Sequence, residues 1–186
     1  MNDILKVIKE RYSCRNYSGQ RVEKEKLLAI GDAALRSPSS RNTQHWKIYI
    51  IDNKDLLDEM DIASLEMFKE SMPDLHERIM GRGGKVFYNA PSMFLILATP
   101  DAHGEVALDC GIVSQTIALA AKSLGLDTVI VRMGEFPFVS PKGEAFKERV
   151  GWKDGYTFGM AVLCGYENVK TGEPHAINPD KLVYVE

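Results

Sequence analysis

The sequence predicts one mixed domain of helices and strands, an α/β-like arrangement that lacks the strict βαβ alternation of a dinucleotide-binding fold. Three observations carry this. Apolar periodicity switches repeatedly between helical and extended spacing along 186 residues. The run Met93-Phe94-Leu95-Ile96-Leu97-Ala98 is almost wholly apolar, as a strand covered on both faces requires. Residues 106–124 are helical in pattern and apolar nearly all round, which marks a buried helix in the middle of the domain or at a dimer interface.

In chain order, Asp3 is expected to cap a first helix with Ile4, Val7 and Ile8 on its apolar side, ending near Arg11. A second helix is expected over 22–35, with Leu27, Leu28, Ile30, Ala33 and Ala34 buried; Pro38 ends it by pushing Ser37 out of the helical region. Residues 47–52 read as a strand. Residues 54–82 read as helix rich in charge and Met, broken near Ser71-Met72-Pro73. Met60, Met67, Phe68 and Met72 suit an adaptable apolar site or core and dimer packing. Gly81-Arg82-Gly83-Gly84-Lys85 lacks the Gly-Lys-Ser/Thr ending of a phosphate loop and reads as a turn.

Pro100 should stop the apolar strand. In the buried helix, Asp109 and Gln115 are the polar exceptions, read as structural hydrogen-bonders, and Gly125 is its C-cap. Residues 128–131 read as a strand followed by a glycine turn at Met133-Gly134, residues 140–150 as a short helix, and 157–166 as another buried strand. Leu182-Val183-Tyr184-Val185-Glu186 alternates like a strand with no hairpin partner nearby, which suggests an arm laid on another subunit.

At 45% hydrophobic the chain is long enough for one core, and no linker divides it, so residues 1–186 are expected to be a single domain. The formal net charge of -3 argues against sequence-independent nucleic-acid binding. Met1-Asn2-Asp3-Ile4 is polar where a signal peptide needs an apolar core, and no run approaches the roughly 20 apolar residues that span a bilayer. A soluble, cytoplasmic protein with no membrane partner is expected. Cys14, Cys110 and Cys164 are far apart, as are His45, His76, His103 and His175, so neither a disulfide framework nor a metal site is predicted.

Two polar clusters remain. Arg11-Tyr12-Ser13-Cys14-Arg15 offers two guanidiniums and a hydroxyl, and the guanidinium fork matches phosphate oxygens. Because the cluster follows a helix C-terminus, where the dipole is negative, side chains must make any anion site there. Ser37-Pro38-Ser39-Ser40-Arg41-Asn42-Thr43-Gln44 supplies hydroxyls and two carboxamides that donate and accept at once, as the edge of a heterocycle requires. Together they read as a cofactor clamp. No G-x-G-x-x-G follows a strand, which disfavours a dinucleotide held in the Rossmann manner.

The Arg-x-Ser-x-Arg cluster, the Ser-Pro-Ser-Ser-x-Asn-x-Gln-x-Trp run and the Ala-rich helix before a Gly-containing turn resemble the FMN-dependent nitroreductase family over essentially the whole chain. Ala90-Pro91, Asp109, Ser123-Leu124-Gly125-Leu126 and Leu163-Cys164-Gly165-Tyr166 agree in order. The resemblance implies an α+β fold, a mixed sheet covered by helices, in a homodimer with exchanged C-terminal arms and FMN at the interface. It implies that Arg11, Ser13 and Arg15 hold the FMN phosphate and ribityl end, with Tyr12 adding backbone or ring contacts. Pro38, Ser39, Ser40, Asn42 and Gln44 would meet the isoalloxazine from the other subunit, and Met133 and Gly134 would bring a backbone N–H to flavin N5.

The implied reaction is ping-pong hydride transfer from NAD(P)H to a small electron-poor acceptor, a nitroaromatic or quinone, with no essential catalytic side chain. One departure stands out. The Arg or Lys that many members carry shortly before the C-terminus is replaced by Pro174-His175-Ala176-Ile177, leaving Lys170, His175 or Lys181 to supply that charge. Two other readings stay open: an FMN-binding protein that stores, transfers or modifies flavin without NAD(P)H turnover, and a non-redox module for another phosphorylated ligand.

Overall fold

The computed structural model describes residues 2–99, 105–170 and 172–186; Pro100 and His103 lie outside the described residues. Helix α1 (Asp3–Glu10) is capped by Asn2 rather than Asp3. Asn2 has the extended backbone a cap needs, and its Oδ1 accepts from Leu5 N at 3.0 Å. Asp3 falls instead in the first turn, where the dipole favours its charge. Helix α2 (Lys24–Leu35) buries Leu27, Ile30 and Ala34 along one stripe, whereas Leu28, expected on that side, is exposed because it lies about 100° round the helix from Leu27.

Strands β1 (Trp46–Ile51), β2 (Ser92–Ala98), β3 (Asp127–Val131) and β4 (Thr157–Gly165) form one sheet in the order β1-β2-β4-β3. All neighbours are antiparallel, which corrects the expected mixed sheet. The cause is visible between β1 and β2. Helices α3 (Lys54–Ser71) and α4 (Pro73–Met80) run out and back, with Pro73 restarting the helix, and return the chain to the end where β1 stopped, pairing Ile51 with Met93. The parallel pairing among the described residues is the isolated bridge Ser13↔Thr128 beside β3.

The seven residues of β2 are all buried, as the apolar run predicted. Their alternation feeds two cores. Phe94, Ile96 and Ala98 pack with Leu27, Ile30, Val113 and Ile117, while Met93, Leu95 and Leu97 pack with Leu57, Met60, Phe68 and Phe138. Helix α5 (Val106–Ser123) buries Cys110, Val113, Ile117, Ala118 and Ala121, yet Leu108 is 61% exposed and Gly111 and Gln115 are exposed beside it. Within one chain the helix is therefore buried on one side only, and the Gln115 side chain has no hydrogen bond among the described residues. Gly125 ends it at φ +77, with Gly125 N bonded to Lys122 O and Leu126 N to Ala121 O.

Helices α6 (Phe136–Val139) and α7 (Gly143–Val150) follow β3; the latter begins later than the expected 140 because Pro137 starts its own turn first. In β4 the register shifts opposite Ile96/Leu97, so Gly159 is the extra residue of a bulge. A Cβ there would lie 2.6 Å from Cys110 Sγ. After β4 the chain returns along residues 16–18, with Ser18 N bonded to Tyr166 O and Asn168 N to Asn16 O, both at 3.0 Å. Residues 182–186 form no strand and have no ladder partner among the described residues; Leu182, Val183, Tyr184 and Val185 are exposed.

Candidate cofactor site

Residues 11–15 are extended and pinned to β3 by Cys14 N bonded to Thr128 O at 3.0 Å. Extended backbone sends alternate side chains to opposite faces. Tyr12 and Cys14 are buried, and Arg11, Ser13 and Arg15 emerge on the other side. The two arginines and the serine thus share one face. Arg15 Nη1 donates to Ser13 O at 3.3 Å, and among the described residues neither Arg11 nor Arg15 meets a carboxylate, unlike Arg21, Arg36, Arg132 and Arg149. Such a donor set fits a phosphate. Tyr12, expected to add backbone or ring contacts, turns inwards: its hydroxyl donates to Glu167 and its ring packs beside Lys122 and Gly172.

Of the cations considered for the missing C-terminal charge, Lys170 is the one brought to this edge. Asn16 Nδ2 donates to Val169 O at 3.4 Å, and Lys170 pairs with Glu173 at 2.8 Å. His175 and Lys181 lie further along the exposed tail.

The second cluster leads from α2 into β1 through a short 3-10 turn, Ser40–Asn42. Arg41, Asn42 and Gln44 have φ of 53, 55 and 45 although none is glycine. Left-handed backbone at such residues costs on the order of 1–3 kcal/mol each and persists only where surrounding bonds fix it. Here Ser39 Oγ accepts from Gln44 N at 3.0 Å, and the Asp109 carboxylate on α5 accepts from Ser40 N at 3.2 and 3.3 Å. Gln44 Nε2 donates to Asn42 Oδ1 at 2.7 Å, which leaves Gln44 Oε1 and Asn42 Nδ2 without a partner among the described residues, on an exposed surface. Pro38, Ser39 and Ser40 lie on the same partly open segment.

Met133 and Gly134 occupy the 3-10 turn Arg132–Glu135 directly after β3. Gly134 is buried, and a Cβ there would stand 2.4 Å from Ala161 Cβ, so only glycine lets this turn lie against β4. Arg132 pairs with Glu135 at 3.2 Å and lies over the ring of Phe158, next to the Gly159 bulge.

Two internal rulers separate the clusters. Ser13 lies beyond β3 at one edge of the sheet and residues 37–45 lead into β1 at the other; four strand spacings make about 19 Å. Along α5, Ser40 leans on Asp109 and Tyr12 lies beside Lys122, about 20 Å apart at 1.5 Å per residue. Asp109 was legible as a structural hydrogen-bonder, and it is one. His45 was not legible, beyond filling the unspecified place between Gln44 and Trp46. Its imidazole is 6% exposed and lies 3.7 Å from Asp109 Oδ2.

No thiol here is prepared for nucleophilic work. Burial pushes Cys110 up to about 11 and Cys164 up to about 12, and raises Cys14 as well. Among the described residues no cluster of His, Cys, Asp or Glu suits a metal ion, and no helix is long and apolar enough to cross a membrane.

Residues 8–166 match the sequence model described as "Nitroreductase family". A crystal structure of a nitroreductase with bound FMN from Desulfitobacterium hafniense DCB-2 is 41% identical, with all of both chains covered and a TM-score of 0.92. A nitroreductase with bound FMN from Bacteroides fragilis NCTC 9343, 23% identical over all of both chains, shares the fold at a TM-score of 0.86. A "Putative NADH dehydrogenase/NAD(P)H nitroreductase" of Methanothermobacter thermautotrophicus is 31% identical over 183 residues, 97% of this chain and 85% of its own length.

Proposed function

The chain belongs to the nitroreductase family, and from that premise we propose that it is an FMN-dependent oxidoreductase, moving hydride from NAD(P)H to a small electron-poor acceptor such as a nitroaromatic or quinone. The observation that carries this reading is the shared outward face of Arg11, Ser13 and Arg15, two guanidiniums with no carboxylate partner among the described residues beside a hydroxyl. These three bind the FMN phosphate and ribityl chain, and Lys170 adds charge at the same edge. Ser39, Ser40, Asn42 and Gln44, with Pro38, orient the isoalloxazine, and the Met133–Gly134 backbone holds the flavin at its reacting edge.

FMN supplies the reversible hydride chemistry when bound. The chain's contribution is binding, orientation and a roof of adaptable apolar side chains. Met67, Met72, Met133, Phe136 and Phe158 are half-buried, and Phe68 meets Phe136 edge-on at 4.7 Å, which ties the end of α3 to the Gly134 turn. Soft Met side chains suit flat acceptors of varied outline. Donor and acceptor take turns at this one surface, the arrangement of a ping-pong cycle. No paired carboxylates or activated nucleophile are required, and none stands beside the clusters among the described residues.

The separation of about 20 Å along α5 supports a homodimeric site, in which the Arg11–Arg15 face of one chain and the Ser37–Gln44 turn of its partner hold one FMN. Helix α1 buries no residue and exposes Ile4 (69%) and Leu5 (51%), Leu108 stands out from α5, and the apolar tail is uncovered. These surfaces form the dimer contact, with the tail exchanged as an arm. Three buried, unpaired cysteines accord with a cytoplasmic setting. The test is the visible spectrum of the purified protein after FMN addition, followed by anaerobic NADH and NADPH. Flavin absorbance that bleaches with either donor, and NAD(P)H oxidation with a quinone, are expected. A protein that takes up no FMN refutes the reading, and one that binds FMN without oxidising NAD(P)H reduces it to flavin storage or transfer.

A further inference from the structure

Beneath the 39–44 turn lies a pair whose hydrogen bonding is unfinished. His45 Nε2 is buried and has no hydrogen-bond partner among the described residues, at 3.7 Å from Asp109 Oδ2. Both side chains are more than nine-tenths buried, with Asp109 2% exposed. On the far side of the ring, His45 Nδ1 lies 3.0 Å from Thr43 Oγ1, which is also 3.0 Å from Ser40 O. Nε2 thus faces a carboxylate oxygen across a gap longer than a hydrogen bond. The same Asp109 carboxylate receives Ser40 N–H. One buried carboxylate thus holds the start of the turn by its backbone and faces the imidazole at its end, across three left-handed non-glycine residues.

We propose that Asp109 and His45 are positioning residues, a latch that sets the 39–44 turn in its cofactor-holding shape, with the Nε2–Oδ2 gap closing to a hydrogen bond when the turn is loaded. The proposal rests on the FMN reading for its loaded state only. Neither residue touches the cofactor in this account; they act through Ser39, Ser40, Asn42 and Gln44. A gap of 3.7 Å exceeds a charge-assisted hydrogen bond by about 0.8–1 Å, and site hydrogen bonds that are long without ligand shorten when it binds.

The experiment compares His45→Phe, which keeps a ring against Trp46 but removes both nitrogens, with His45→Gln, which restores a donor. Amide hydrogen exchange over residues 38–46 is read in the FMN-free protein, then FMN affinity and the visible band of bound FMN in the dimer. The expected result is exchange at least about 10-fold faster at Ser40 and Asn42 in His45→Phe, FMN affinity about 10-fold weaker with a shifted band, and substantial recovery in His45→Gln. Asp109→Ala against Asp109→Asn asks the same question from the other side should His45→Phe fail to fold. Equal behaviour of Phe and Gln variants in exchange and affinity overturns the latch. A wild-type protein that binds no FMN, yet whose turn loosens in His45→Phe, removes the cofactor reading and leaves the latch standing.

Discussion

Gly134→Ala offers a stringent test of how the site is built. The added methyl would stand 2.4 Å from Ala161 Cβ, whereas carbons in contact prefer about 3.5–4.0 Å, so the 132–135 turn must retreat by about 1 Å. Ala161 is fully buried on β4 and its methyl has no rotamer to escape into. Overpacking of this kind costs about 1–3 kcal/mol. At about 2 kcal/mol the melting temperature of a chain this size falls by about 4–8 °C. If the turn borders the reacting edge of the cofactor as proposed, a displacement near 1 Å there should slow hydride transfer by up to about 100-fold. The double variant Gly134→Ala/Ala161→Gly moves the methyl from one side of the contact to the other. It should recover most of the loss, retaining only the roughly 0.5–1 kcal/mol of a glycine in a strand. Thermal unfolding followed by circular dichroism and stopped-flow reduction by NADH provide the two readouts. Wild-type melting and rate in Gly134→Ala, or a double variant no better than the sum of the singles, would refute the packing argument.

Three further outcomes are expected. Arg15→Ala should weaken FMN binding about 10- to 100-fold, as loss of a charge-assisted hydrogen bond implies, while Lys54→Ala leaves it unchanged; fluorescence titration that finds equal effects removes the phosphate assignment. The buried thiols should resist a thiol reagent in the native protein at pH 8. Their folded-state values lie above the ordinary 9.0, so the stability they contribute is complete below pH 9 and is lost as pH rises towards about 11 for Cys110 and about 12 for Cys164; urea titrations at pH 8 and 10 check the direction. Leu5→Asp combined with Leu108→Asp should convert the proposed dimer to monomer in light scattering, because each substitution would forfeit about 1.5–3 kcal/mol of apolar burial and add a charge to the contact.

The helices and strands were largely legible because their signals are local. The break at Ser71-Met72-Pro73, the central strand and the Gly125 cap stand where propensity and periodicity put them. Strand direction was not legible, since it depends on whether the α3–α4 excursion returns to the end it left. Arg11, Ser13 and Arg15 were readable as a cluster, and the structure adds the alternation that turns Tyr12 inwards. His45 escaped because its partner Asp109 is distant in sequence, and no local pattern links a loop imidazole to a carboxylate one helix away. The apolar pattern of α5 left two placements open, the middle of the domain or a dimer interface, and within one chain Leu108, Gly111 and Gln115 stay exposed.

That separation of about 20 Å along α5 also has a genetic consequence in the proposed dimer. A chain carrying Arg11→Ala and Arg15→Ala, and another carrying Asn42→Ala and Gln44→Ala, would each be inert alone. Co-folded, they would form mixed pairs in which one site inherits both lesions and the other inherits neither. Random pairing would return about a quarter of the wild-type sites. Inheritance in this protein would therefore follow the site rather than the chain, and two broken alleles would together encode a working enzyme.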